Sequence, residues 1–211
     1  MLLLAFDTAT PSITVAVHDG HQVVGEAYGE GAMAHGELLA PAIRDAVRRA
    51  GATMADLTDV AVGVGPGPFT GLRVGVVTAL TLGSTLGLAT HGVCTLDVVA
   101  ADVQVAGEFL VATDARRKEV YWARYGGDHA RLDGPHVVTP AALAAQHPDL
   151  PTYGRGGQLH DGVLRAAGEG GNPRAAALAS LVASGRATVM PLEPLYLRRP
   201  DAVPQMISKR A

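Results

Sequence analysis

Apolar residues run almost unbroken from Leu2 to Phe6 and from Ile13 to His18, with the turn formers of DTATPS, Asp7 to Ser12, between them. That pattern predicts two strands. Asp19-Gly20 is a hairpin signal, and His21 to Tyr28 reads as a third strand. GEGAMA then loosens the chain. From His35 to Ala50 the period changes. Leu39, Ile43, Ala46, Val47 and Ala50 recur at steps of three and four, one face of a helix that Gly51 stops. A strand over Asp59–Val64, a helix over Gly71–Leu86, a strand over Leu88–Val93 and a helix over Leu96–Val103 follow.

The second half restarts with strands at Glu108–Asp114 and Glu119–Tyr125 around the turn ARRK, and a weaker strand at His136–Val138. Helices are expected at Pro140–Gln146 and Pro173–Ser184. A hairpin sheet followed by strand–helix alternation gives an α/β chain: a mixed sheet with helices on its faces. The halves share an opening order, which suggests duplication of one unit, with a division into residues 1–103 and 104–211. The second unit lacks the later alternation. The tail, Met190–Ala211, carries four prolines and should be extended, wrapping back over the body.

Composition narrows the function classes. Of 211 residues, 48% are hydrophobic and only 4% aromatic, so the core is built from Ala, Val and Leu. The net charge of -3 disfavours stand-alone nucleic-acid binding. Arg116-Arg117-Lys118 and Arg198-Arg199 read as solvated surface. The lone Cys94 sits in an apolar run, as a buried inert thiol would in a reducing compartment. No basic leader precedes the first strand, and the apolar stretch Val74–Ala89 reads as a packed helix of a soluble protein, so a cytoplasmic location without membrane contact is expected.

The most informative segment is Gly65 to Gly75, GPGPFTGLRVG. Pro66 and Pro68 fix the backbone, Gly65 and Gly67 permit positive φ, and Thr70 is a plausible N-cap. No Gly-Lys-Ser/Thr follows, so this is not a P-loop. Gly71, Gly75, Ala79, Gly83 and Gly87 are four apart and form a stripe that lets another backbone approach. The rest of the helix is apolar nearly all round, which calls for a second cover. A partner protein is the favoured cover and the chain's own fold the alternative.

Catalytic sets are hard to find. Four residues after His35 stands Leu39, not a second histidine, and no Gly-x-Ser-x-Gly elbow occurs. Asp7, with Thr8 beside it, ends a strand and starts a turn. It reads as a turn cap first and as a metal–phosphate holder second.

LLLAFDTATPSITVAV, AHGELLAPAI, VGVGPGPFTGLRVG, DARRKEVYWA and PLYLRR occur in this order, and together they resemble the TsaB (YeaZ) family over nearly the whole chain. Pro68 stands where the family more often has Ser. The resemblance implies an actin-like fold, of the sugar kinase and heat-shock ATPase type, with two ribonuclease-H-like subdomains, the second reduced. It implies a non-catalytic role in threonylcarbamoylation of tRNA adenosine 37, with no cofactor of its own and contact with tRNA only indirect. The implied partners are a TsaD-type catalytic subunit and, in a larger complex, a TsaE-type ATPase; a homodimer is expected in isolation. The implied interface lies on the first two helices, for which Leu39, Ile43, Val47, Gly75, Ala79, Leu80 and Gly83 are the candidates. Asp7 and Thr8 remain weak cofactor-binding candidates. The alternatives are a stand-alone ATPase or kinase, or a peptidase.

Overall fold

Leu3, Leu4, Ala5 and Phe6 have no exposed surface, so the first strand is covered on both faces. The computed structural model describes residues 1–30, 35–168 and 171–198. Strands β1 (Leu3–Asp7), β2 (Ser12–His18) and β3 (Val23–Glu30) lead into helix α1 (His35–Arg49). Then come β4 (Asp59–Gly63), α2 (Phe69–Leu86), β5 (Ala89–Val93) and α3 (Thr95–Ala100). The second half holds β6 (Phe109–Asp114), β7 (Val120–Tyr125), β8 (Arg131–Val138), α4 (Pro140–Gln146), β9 (Thr152–Tyr153), α5 (Arg155–Leu159), α6 (Ala175–Ala183) and β10 (Val189–Met190).

The first sheet has the order β10-β5-β4-β1-β2-β3. β2 pairs antiparallel to β1, while β4 is parallel to β1 and β5 parallel to β4. The second sheet, β8-β7-β6-β9, repeats the β3-β2-β1-β4 order, again with one parallel pair, β6 with β9. The suspected duplication is thus visible in topology. Two ribonuclease-H-like sheets in tandem, the second reduced, are the actin-like arrangement the resemblance implies.

Alternation along β1 explains the layers. Leu4 and Phe6 point into the core beneath α1 and α2, while Leu3 and Ala5 meet Leu178 and its neighbours on α6. The two units share a core: Leu96, Val99 and Ala100 of α3 pack with Phe109, Val111, Ala123 and Tyr125 of the second sheet. The division at 103/104 falls in the α3–β6 connection. α6 and β10, expected with the second unit, pack on the first sheet. The described tail wraps back as expected: Leu195 N–H donates to Val64 O at 2.8 Å. Its residues 199–211, and most of GEGAMA, lie outside the described residues.

α2 is the one helix among the described residues long and apolar enough to cross a membrane. Its small-residue face is packed on the sheet. It begins two residues earlier than its pattern predicts, with Pro68 at the N-cap and Thr70 inside the first turn, so Thr70 does not cap it. Gly87 ends it in the left-handed region at φ 68°.

Candidate functional site

The end of β1 is sealed from within. Asp7 has no exposed surface. Its Oδ1 accepts from Ala9 N–H at 2.7 Å and its Oδ2 from the Thr95 hydroxyl at 2.8 Å. Thr95 Oγ1 in turn accepts from Gly65 N–H at 3.1 Å, tying the turn after β4 to the same post. Gly63 leaves no slack, since a Cβ there would lie 1.7 Å from Asp7 Oδ2. Burial pushes the Asp7 carboxyl up from its ordinary 3.8 to about 6, against the pull of the two hydrogen bonds. The turn-cap reading therefore describes the geometry, with both carboxyl oxygens buried and hydrogen-bonded. Thr8 is likewise engaged: its hydroxyl donates to Gly71 O at 2.8 Å. His35 Nε2 lies 2.8 Å from Thr10 O and pins α1 to the β1–β2 turn.

The stripe on α2 faces inward. A Cβ on Gly71 would come within 2.2 Å of Thr8 O, one on Gly75 within 2.4 Å of Thr8 Oγ1, and one on Gly83 within 2.5 Å of Thr90 Cγ2. Glycine at these positions lets α2 lie close on its own sheet. This corrects the partner-facing reading of Gly75, Ala79 and Gly83, all buried. Leu39, Ile43 and Val47 are corrected too: they lie on the inward face of α1, buried in the core against the first sheet. Amphipathic spacing locates a buried face but does not say what buries it, and here the chain's own strands do.

Of the seven interface candidates only Leu80 is open, at 48% exposure, and Val77, which spacing overlooked, is more open at 58%. They share a face with Arg73 and Ser84, both exposed. Arg73 is the only charged residue of α2, and its position on the helical wheel was the available signal for the outward side. α1 packs beside α2 and contributes exposed Ala40 and Pro41. The outward strip of the two helices is therefore mixed: Val77, Leu80, Ala40 and Pro41 are exposed on helices that also expose Arg73, Ser84, Glu37, Arg44 and Arg48.

Elsewhere the chemistry is muted. Cys94 is buried, and burial pushes its thiol up to about 12, so it is an inert core thiol. Among the described residues no three His, Cys, Asp or Glu side chains gather as a metal site.

Residues 28–155 match the family model described as TsaD, tRNA N6-adenosine threonylcarbamoyltransferase. A protein of uncharacterised function from Mycobacterium tuberculosis is 44% identical over 207 residues, covering 96% of this chain and 94% of the relative. The tRNA threonylcarbamoyladenosine biosynthesis protein TsaB of Escherichia coli is 36% identical over 132 residues, 61% of this chain and 56% of that protein. The solved structure of YeaZ from Pseudomonas aeruginosa superposes with a TM-score of 0.74 at 28% identity, covering 93% of this chain and 99% of that one. The chain belongs to the TsaB (YeaZ) family. In TsaB terms, the matched stretch 28–155 holds α1, α2 and the β6–β7 hairpin, and it leaves out Asp7 and the tail.

Proposed function

We propose that this chain serves threonylcarbamoyladenosine formation in tRNA as a non-catalytic subunit that docks on a TsaD-type transferase through the outward strip of α1 and α2. The observation that carries the reading is the exposure of Val77 and Leu80 on a helix whose other side is fully committed to its own sheet. Full burial of a Val or Leu contributes about 1.5–3 kcal/mol, and Val77 and Leu80 are already about half covered, so docking would gain roughly half of that from each. The sealed carboxylate of Asp7 and the tied imidazole of His35 support a supporting rather than chemical role. A TsaE-type ATPase joins the larger complex in this reading.

The test is co-purification with the TsaD-type protein of the same organism, followed by threonylcarbamoylation of tRNA measured by nucleoside mass spectrometry. Val77→Asp with Leu80→Asp should weaken the complex at least 100-fold and abolish modification, with the fold intact by circular dichroism. An unaffected complex would sink the docking face. Micromolar Mg-ATP binding with turnover by the chain alone, lost in Asp7→Ala, would overturn the non-catalytic role.

A further inference from the structure

Arg73 is the only charged residue of α2, and it is exposed. Its guanidinium is nonetheless held from two sides. The guanidinium carbon lies 4.1 Å from the centre of the Phe69 ring, and Nε donates to the Tyr196 hydroxyl at 3.2 Å. Phe69 precedes Arg73 by about one helical turn. Tyr196 arrives from the tail, and its ring stacks on that of Phe69 at 5.0 Å. The tail is tied on both sides of Tyr196. Leu195 N–H donates to Val64 O at 2.8 Å, and Arg198 donates to Ala115 O at 2.9 Å and pairs with Glu119. The brace behind Arg73 is therefore anchored in both units of the chain.

A staple for the tail needs the ring contacts and the single donor at Nε. The donors on Nη1 and Nη2 have no part in it. Among the described residues no carboxylate pairs with Arg73, whereas Arg124 and Arg174 meet Glu108 and Asp102 at 3.0 and 2.9 Å. Arg73 stands four residues before Val77 and seven before Leu80, so the cation and the two exposed apolar side chains share one helix face. A long side chain ordinarily loses rotamer freedom when a partner binds, and one already held loses less. A restrained arginine beside apolar neighbours has the make-up of an interface anchor.

We propose that Arg73 is the polar anchor of the docking strip and takes a carboxylate of the docked transferase through its two Nη groups, with the Phe69–Tyr196 stack as a fixed backing. The inference rests on the docking reading above and gives the partner a chemistry: an Asp or Glu about one helical turn from the apolar side chains that cover Val77 and Leu80. Apolar contact is non-directional, so Val77 and Leu80 alone leave the register of the two proteins open. A guanidinium–carboxylate fork is directional and fixes it. Exclusion of water by the adjacent apolar contact strengthens the charge pair in turn. Lysine would be a poor substitute, because it has neither the planar fork nor the flat face that rests on Phe69.

Titration calorimetry of the full chain against the TsaD-type protein tests this, with thermal unfolding of each variant read separately. Arg73→Leu should weaken the complex at least about ten-fold, and Arg73→Lys, which keeps the charge, at least about three-fold. Arg165→Leu, at an exposed arginine bonded to Asp149 O beside β9, should stay within about two-fold. Double-mutant cycles then pair Arg73→Leu with Asp→Asn or Glu→Gln at each partner carboxylate that the complex protects from hydrogen exchange. One of them should be non-additive with Arg73→Leu by at least about five-fold. A staple with no partner role predicts the opposite: a lowered Tm of the isolated chain, affinity within two-fold, and no coupled carboxylate. That result would overturn the inference while Val77→Asp with Leu80→Asp still broke the complex. A complex that also survived those two substitutions would instead remove the docking face, and this anchor with it.

Discussion

Asp7 sets its own pH dependence. Its carboxyl is raised by burial to about 6 in the fold against 3.8 ordinarily, so between those values the folded state holds the proton more tightly than the unfolded chain. Stability from this group is therefore present at low pH and lost as pH rises from about 4 to about 6, by an amount on the order of 3 kcal/mol. Asp7→Asn keeps an acceptor for Ala9 N–H and removes the ionisation. Urea unfolding at pH 4, 5, 6 and 7 should show the variant gaining on the native chain as pH rises; a constant difference would refute the burial argument. The turn-forming role of Asp7 was legible in DTATPS. Its bond to Thr95 was not, because that partner lies 88 residues away and reaches it only when β4 and α3 close over the strand end.

Glycine in a helix has opposite consequences on its two faces. Ala at a helix interior is favoured over Gly by roughly 1 kcal/mol. At Gly75 that gain meets Thr8 Oγ1 at 2.4 Å, and overpacking costs about 1–3 kcal/mol. Gly75→Ala should thus destabilise, lowering Tm by several degrees. Gly36, exposed in the first turn of α1 with nothing within 4 Å, should tolerate alanine and gain up to about 1 kcal/mol. Calorimetry on the two variants should give shifts of opposite sign. Loss of stability in both would mean that α1 and α2 are not distinguished in this way. Periodicity in the sequence predicted both helices nearly to the residue, since each carries four or more turns of regular apolar spacing. It did not predict β9, α5 or β10. Two-residue strands have no period, and RGGQL is held as a helix by the Ala112 backbone packed against Gly156 rather than by its own propensity.

For the molecule as a whole, the sequence of elements and the mixed sheet were readable, and packing partners were not. The hairpin signals implied that β1, β2 and β3 are neighbours, whereas the place of β4 beside β1 and the return of α6 onto the first sheet rest on contacts no local pattern encodes. The small stripe of α2 likewise packs on the chain's own sheet, which its spacing alone does not specify. On α1 and α2 the apolar side chains left exposed are few: Ala40, Pro41, Val77, Leu80 and Leu86. A narrow apolar strip on neighbouring helices favours a twofold pairing of like faces, since each copy offers the other the same surface. Stable interfaces bury about 800 Å² per partner, and five apolar side chains are a modest anchor for that, so the isolated chain should dimerise reversibly and weakly. Light scattering should show the mean mass rising with concentration through the micromolar range, while Leu80→Asp stays monomeric. A stoichiometric TsaD-type partner should convert the dimer into a one-to-one complex, because both would use the same strip. A native chain that remains monomeric at several hundred micromolar would show that the strip is not adhesive and would remove the physical basis for docking there; a dimer that persists unchanged with the partner bound would place the two contacts on different faces.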